Sequence, residues 1–172
     1  VGADLSPEMI RIAREKESSV EFLVKDMSKL DFDNKFDLIL CPFDSLNYLL
    51  EDEQIDNTFK GVYSHLSDGG FYIFDINTST LYENNHHGVI ERNVKGMEFK
   101  QILNYNSETK LASTIFDFGS DEKEEHLQRA LERDVIENFL EKHGFEIEGV
   151  YKNFKFDRDM GDGEKLIFIV SR

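Results

Sequence analysis

Apolar positions change period repeatedly along the first eighty residues, and each change marks an element. Met9, Ile12 and Ala13 share one helical face behind Ser6-Pro7-Glu8, where a serine oxygen caps free amides, proline sacrifices no needed donor and an acid suits the dipole. That helix is expected to end near Lys16. Val20, Phe22 and Val24 then alternate with polar residues as a short strand, and Asp26 and Met27 stand just beyond its carboxyl end. The run Phe36 to Cys41 reads as a buried strand, ended by Pro42. Ile55, Phe59, Val62, Tyr63 and Leu66 make one stripe of a helix whose outer face carries Glu51, Asp52, Glu53 and Lys60; Ser67-Asp68-Gly69-Gly70 is expected to stop it. Phe71 to Ile76 is another nearly continuous apolar run. Strands alternating with helices in this way predict an α/β fold whose sheet is mostly parallel, with right-handed crossovers.

The pattern changes after residue 78. Runs at Phe99 to Tyr105, Leu111 to Phe118 and Glu125 to Leu131 favour strands, and Asn106-Ser107-Glu108 and Gly119-Ser120-Asp121 separate them. No helical stripe fits this stretch, so an antiparallel insertion of about three strands is expected over 78–132. Helical spacing returns with Val135, Ile136, Phe139 and Leu140, started by a capping box of Asp134 with Glu137 and ended at Gly144. Phe145 to Phe154 and Lys165 to Ser171 read as a terminal hairpin around the acidic turn Asp157 to Glu164. The organisation expected is one domain over 1–172, with a core of 1–77 and 133–172.

Composition narrows the possibilities. With 15 Phe and 6 Tyr among 172 residues, there is enough aromatic material for a packed core. The formal charge of −15 and the lack of a basic patch argue against nucleic acid and anionic membranes as partners. One cysteine, Cys41, allows neither an internal disulfide nor a multi-thiolate metal site, which suits a reducing, cytoplasmic setting. No apolar run reaches the roughly 20 residues of a membrane-spanning helix, and the chain opens at Val1-Gly2-Ala3 without signal-peptide features.

In an open α/β sheet, ligands bind beyond the carboxyl ends of parallel strands. Asp4 ends the short segment Val1-Gly2-Ala3, where a carboxylate can accept hydrogen bonds from both hydroxyls of a ribose or serve as a cap residue. Asp26 can take an adenine amino group while Met27 covers the ring; taken alone, Asp26 also suits a turn.

The constellation Val-Gly-Ala-Asp-Leu-Ser-Pro-Glu-Met-Ile, Lys-Asp-Met, Phe-Asp-Leu-Ile-Leu-Cys-Pro-Phe-Asp-Ser-Leu-Asn-Tyr-Leu and Leu-Ser-Asp-Gly-Gly-Phe-Tyr-Ile-Phe-Asp-Ile-Asn-Thr resembles the class I S-adenosylmethionine-dependent methyltransferases. It looks most like the bacterial small-molecule branch with a β insertion. The resemblance implies a Rossmann-like, mostly parallel twisted sheet with helices on both faces, and S-adenosyl-L-methionine as cofactor. It implies that Asp4 holds the ribose, Leu5 and Met9 neighbour the adenine, Asp26 and Met27 bind it, and Cys41 stands beside the methionine moiety. Asp44, Asn47, Tyr48, Asp75 and Asn77 then flank the methyl-transfer position as substrate-facing candidates, with no metal required. The implied reaction is in-line displacement onto a small-molecule acceptor, with the insertion as a lid or a surface contact.

The family's fold has a further strand, followed by a Gly-rich loop, ahead of the ribose-binding acid, and no Gly-x-Gly opens this chain. The fold is therefore expected to be incomplete at its N-terminus. A gap of about 9–10 Å is expected between the strand ending at Asp4 and the one ending at Cys41 unless a preceding segment, direct pairing, a swapped strand or a second copy closes it. A non-catalytic or truncated methyltransferase-like domain serving as an interaction module stays open beside the enzyme. Three other features carry less. Asp157, Asp159 and Asp162 miss the spacing of an EF-hand loop, the Tyr-x-x-x-Lys pattern of Tyr151 and Lys155 falls in the expected terminal strand, where residues four apart share a face but lie about 13 Å apart and so do not suit a nicotinamide-dependent dehydrogenase, and His86 and His87 read as solvated loop residues.

Overall fold

The computed structural model describes residues 1–119, 122–152 and 163–172. The acidic turn with Asp157, Asp159 and Asp162, the Lys155 member of the Tyr-x-x-x-Lys pattern, and Ser120-Asp121 lie outside the described residues.

Two pieces of sheet form the α/β core. In the first, β1 (Gly2–Asp4) pairs in parallel with β2 (Phe22–Val24), and Gly2, Ala3 and Asp4 stand opposite Phe22, Leu23 and Val24. Between them runs α1 (Pro7–Lys16), started as expected: the Ser6 hydroxyl accepts from the Met9 N–H at 3.3 Å with Pro7 at the first position. The second piece has the order β3-β4-β10-β9. Here β3 (Phe36–Cys41) lies parallel to β4 (Leu66–Asn77), while β10 (Lys165–Ser171) is antiparallel to both β4 and β9 (Glu146–Lys152). This piece is mixed where mostly parallel pairing was expected, because the terminal hairpin folds its second strand back in beside β4.

Among the described residues β1 has no partner besides β2, and β3 none besides β4, so direct pairing does not join the two pieces. The interruption expected between them is present.

One face of the four-stranded piece carries the core. Helix α2 (Asp52–His65) brings Ile55, Phe59 and Val62, and α4 (Arg133–His143) brings Ile136 and Leu140, onto Tyr72, Phe74, Ile76, Leu166, Phe168 and Val170. Phe59 is at the centre, with ring centroids 5.6 Å from Phe74 and 6.2 Å from both Phe139 and Phe145. Residues alternating with these on the sheet, Leu38, Leu40, Phe71 and Ile147, remain exposed.

Several boundaries differ from expectation for local reasons. No loop separates α2 from β4: Leu66 already faces Phe36, and the two glycines lie inside the strand as an irregularity. Gly69 takes φ 76°, and a Cβ on Gly70 would stand 3.0 Å from the carbonyl oxygens of Phe36 and Ser67. At α4 the cap position is Glu132, and Glu137 pairs with Arg133 at 2.7 Å in place of the expected capping box. Gly144 closes that helix at φ 85°, as its position suggested.

The insertion has four strands, one more than expected: β5 (Gly88–Val94), β6 (Met97–Asn106), β7 (Leu111–Asp117) and β8 (Lys123–Arg129), all antiparallel neighbours in that order. The extra strand β5 is exposed along its whole length, so it lacks the alternation that marks a half-buried strand. The short helix α3 (Ser79–Asn85) precedes it, and its Tyr82 packs with Ala112, Tyr105 and Ala130 to anchor the insertion. His86 is half-buried, with Nε2 3.1 Å from the Ser113 carbonyl oxygen and 3.0 Å from the Thr114 hydroxyl, so it joins α3 to β7 instead of facing water. No described helix is long and apolar enough to cross a membrane.

Candidate active site

The parallel register of β1 and β2 sets Asp4 and Asp26 side by side. Asp4 faces Val24, and the Lys25 N–H donates to the Asp4 carbonyl oxygen at 3.0 Å, so Asp26 follows immediately on the neighbouring strand. Each carboxylate is steadied by one oxygen. Asp4 Oδ1 accepts the Ser6 N–H at 2.8 Å; Asp26 Oδ1 accepts the Ser28 N–H at 2.9 Å and the Ser28 hydroxyl at 2.7 Å. The Ser28 hydroxyl, then its amide, holds the Asp26 carboxyl below the ordinary range, so it is a firm anion at neutral pH. Among the described residues Asp4 Oδ2 has no hydrogen-bond partner, and Asp26 Oδ2 has Lys29 Nζ at 3.6 Å. Leu5 and Met9 are exposed beside Asp4, while Met27 rests partly buried on the core. Two fixed anions with spare acceptor capacity and adjacent apolar side chains fit the hydroxyls and heterocycle of a nucleoside.

At the end of β3, Cys41 packs against the core. Burial pushes its thiol up to about 11, against the smaller opposing effect of the Tyr72 hydroxyl, so it is neutral and unsuited to nucleophilic attack. Beyond it, Phe43 and Asp44 are both left-handed, at φ 61° and φ 48°. Such backbone costs of order 1–3 kcal/mol per residue and persists only where neighbours enforce it. They do so here. The Asp44 N–H donates to Asp75 Oδ2 at 3.0 Å, Lys165 Nζ donates to Asp44 Oδ1 at 2.9 Å and Asp75 Oδ2 at 2.6 Å, and Gln128 Nε2 donates to Asp44 Oδ2 at 2.6 Å. Burial alone would lower the Lys165 ammonium, but its bonds to Asp75 and Asp44 outweigh that and leave it above the ordinary lysine range.

The five substrate-facing candidates divide. Asp44, Tyr48 and Asp75 share one polar cluster at the ends of β3 and β4, with Tyr48 exposed on its outer side and Asp75 buried beneath Lys165. Asn47 and Asn77 are placed otherwise. Asn47 is fully buried: its Nδ2 donates to the carbonyl oxygens of Asn77 and Arg129, both at 2.8 Å, and its Oδ1 accepts the Asn77 N–H at 2.9 Å. It clamps the end of β4 to the return from the insertion. Asn77 is buried too, with Nδ2 3.4 Å from the Tyr82 hydroxyl. The Asn47 side chain is committed to the scaffold, because buried backbone groups at this junction need partners, whereas Asn77 Oδ1 is buried with no hydrogen-bond partner among the described residues.

Lys165, Gln128 and His126 were missed. Each reaches the cluster across 78 to 121 residues of chain, and no local spacing could announce them. A concavity of about 410 Å³ lined by Leu50, Glu51, Lys110 and Arg129 touches none of the strand-end acids, so it is a crevice between α2 and the insertion and not this site.

Comparison with known proteins bears on the family of this chain. Residues 1–70 match a family model described as a methyltransferase domain. A protein of Geobacillus sp. (strain WCH70) that carries the name of a methyltransferase is 27% identical over 188 residues, spanning 99% of this chain and 74% of the relative. YqeM of Bacillus subtilis (strain 168), also named as a methyltransferase, is 40% identical over 82 residues, which is 45% of this chain and 33% of that protein. The solved structure of an S-adenosylmethionine-dependent methyltransferase from Clostridium acetobutylicum ATCC 824 superimposes with a TM-score of 0.86 at 26% identity, covering 98% of this chain and 73% of that one. The α/β fold is the one these methyltransferases share. Residues 1–70 thus carry a methyltransferase domain, and the chain as a whole is similar to class I S-adenosylmethionine-dependent methyltransferases.

Proposed function

We propose that this methyltransferase acts on a small-molecule acceptor by in-line displacement, as a cytoplasmic enzyme of bacterial type. The observation that carries the reading is the placement of Asp4 and Asp26 at or just beyond adjacent parallel strand ends, each with Oδ1 fixed by its own turn while Oδ2 has no partner at Asp4 and only Lys29 at 3.6 Å at Asp26 among the described residues. S-adenosylmethionine supplies a methyl group on a cationic sulfur; this chain's part is to hold the nucleoside, align the acceptor and exclude water. Asp4 takes the ribose hydroxyls, Leu5 and Met9 border the adenine, and Asp26 and Met27 bind it. Cys41 lines the methionine side as a neutral, partly buried thiol. Asp44, Tyr48 and Asp75 stand on the acceptor side. The acidic balance of −15 disfavours a polyanionic acceptor and so supports a small molecule.

The test is a screen of S-adenosylhomocysteine release over amines, alcohols, phenols and carboxylates, with protein and RNA as contrasts, repeated on a chiral methyl group once an acceptor turns over. Turnover of small molecules with inversion at carbon is expected; turnover of protein or RNA alone, or retention of configuration, defeats the reading.

A second reading has its own support in the open edges of β1 and β3 and the exposed Leu38, Leu40 and Phe71. On it, the chain is an interaction module whose sheet is completed by a strand from a second copy or another segment. Calorimetry separates the two: S-adenosylhomocysteine binding that Asp4→Ala abolishes favours the enzyme, and concentration-dependent dimerisation without nucleoside binding favours the module.

A further inference from the structure

Tyr48 sits on the short turn Ser45–Tyr48 that leaves β3, and its hydroxyl is 2.8 Å from Nδ1 of His126, a residue of the insertion strand β8. The other imidazole nitrogen, Nε2, is 3.0 Å from Glu124 Oε1. A carboxylate only accepts, so Nε2 carries a hydrogen. In the neutral ring Nδ1 is then bare and accepts the phenol O–H; in the cation it donates back to the phenol oxygen. Phe116, whose ring centroid lies 5.3 Å away nearly edge-on, holds the imidazole in this plane. The arrangement therefore has two proton states with one geometry, and Tyr48 is exposed.

We propose that Tyr48 and His126, oriented by Glu124, form a proton relay that serves acceptors whose attacking atom bears a hydrogen, an amine or a hydroxyl. The proposal rests on the acceptor-side placement given above. When the acceptor nitrogen or oxygen takes the methyl group, its N–H or O–H bond breaks and the electron pair stays on that atom. The proton passes to the Tyr48 oxygen as the phenol's own proton passes to His126 Nδ1, and the sulfonium becomes a neutral sulfide. The imidazolium that forms is balanced by Glu124. Tyr48 is the catalytic residue of the pair, and His126 and Glu124 are positioning residues. The charged and titratable groups around them are Asp44 at the end of β3, Lys165 of β10 on Asp44, Tyr82 of α3, Glu124 of β8, and His86, which bonds Thr114 opposite His126 in the register. Burial first, then Asp44 and Glu124, raise the Tyr48 phenol above its ordinary range, so it acts as a neutral conduit and not as a standing phenolate.

Two experiments decide the matter. Nitrogen-15 spectra of the imidazoles in the whole chain at neutral pH, without any acceptor, are expected to show His126 as the Nε2–H tautomer, with its Nδ1 resonance displaced by Tyr48→Phe. A His126 in the Nδ1–H tautomer overturns the relay whatever the enzyme does. With the acceptor found in the screen, Tyr48→Phe and His126→Gln are each expected to lower kcat about 100-fold at neutral pH, to flatten the acidic limb of the pH profile, and to leave S-adenosylhomocysteine affinity within about twofold. Unchanged pH profiles in both variants, or equal losses of activity and of S-adenosylhomocysteine affinity, show a merely structural contact and overturn it. Failure of the whole screen instead defeats the small-molecule reading and leaves the tautomer measurement to judge the pair.

Discussion

The two pieces of sheet hold complementary halves of the problem. Around β1, β2 and α1, only Ile10 and Ser28 are buried through residue 30, while Leu5 is 71% exposed. Around β3, β4, β10 and β9, Phe59, Ile76, Leu140 and Phe168 are all at 0%. The first piece carries the residues most telling of function, and the second carries the packing. Ligand-facing residues must stay open to be filled by something other than protein, so a motif-rich region is a thinly packed one. Stability and recognisability are drawn from different parts of the chain.

The sharpest way to break that contrast is to damage each piece in turn. Phe59→Ala removes the ring at the centre of the aromatic cluster and is expected to cost about 3–5 kcal/mol in denaturant unfolding. Ile10→Ala in the first piece is expected to cost less, since exposed neighbours there can relax into the space; equal costs would erase the distinction. Next in size is Asn47→Ala, which takes the side-chain partner from the Asn77 N–H and the Arg129 carbonyl oxygen in a buried junction, while the Asn77 carbonyl oxygen keeps the Leu131 N–H, at about 2–3 kcal/mol in the same measurement. Asp4→Ala reverses the pattern. Affinity for S-adenosylhomocysteine is expected to fall at least about tenfold, which is about 1.4 kcal/mol, while unfolding shifts by only about 0.5–1 kcal/mol as the turn loses its cap.

The smallest effect is the acid response of the first piece. The Asp26 carboxyl titrates lower folded than unfolded, so its contribution is full above the unfolded pKa and is lost as pH falls through the folded one. Hydrogen exchange of the Ser28 and Lys29 amides is expected to quicken below about pH 4 before amides of β4 and β10 respond. Simultaneous loss in both pieces would show that they unfold as one.

Much of this was legible along the chain because the physics was local. The face of α1, the cap at Ser6, the stripe of α2 and the left-handed cap at Gly144 depend on residues within a few positions of each other. The positions of Asp4 and Asp26 were legible because one ends a strand and the other stands just beyond one. Strand β5 was not, since an exposed strand needs no alternation, and neither was the Gly69-Gly70 irregularity, which arises where β3 and the chain terminus pass β4. Asn47 and Asn77 were placed beside the acceptor from their strand-end positions, and only the folded junction shows that Asn47 satisfies backbone groups there while Asn77 Oδ1 is buried without a partner among the described residues.

By itself the sequence determined the alternation of helices and strands and set two acids with apolar neighbours at or just beyond strand ends, because those signals come from periodicity and from single positions; the kind of cofactor came from the resemblance to a family. The tertiary structure decided the antiparallel entry of β10, the break between the two sheet pieces, and the polar cluster in which Lys165, Gln128 and His126 meet Asp44, Asp75 and Tyr48. A hydrogen bond between residues some 80 to 120 positions apart leaves no mark on local spacing; it exists only once the chain has closed upon itself.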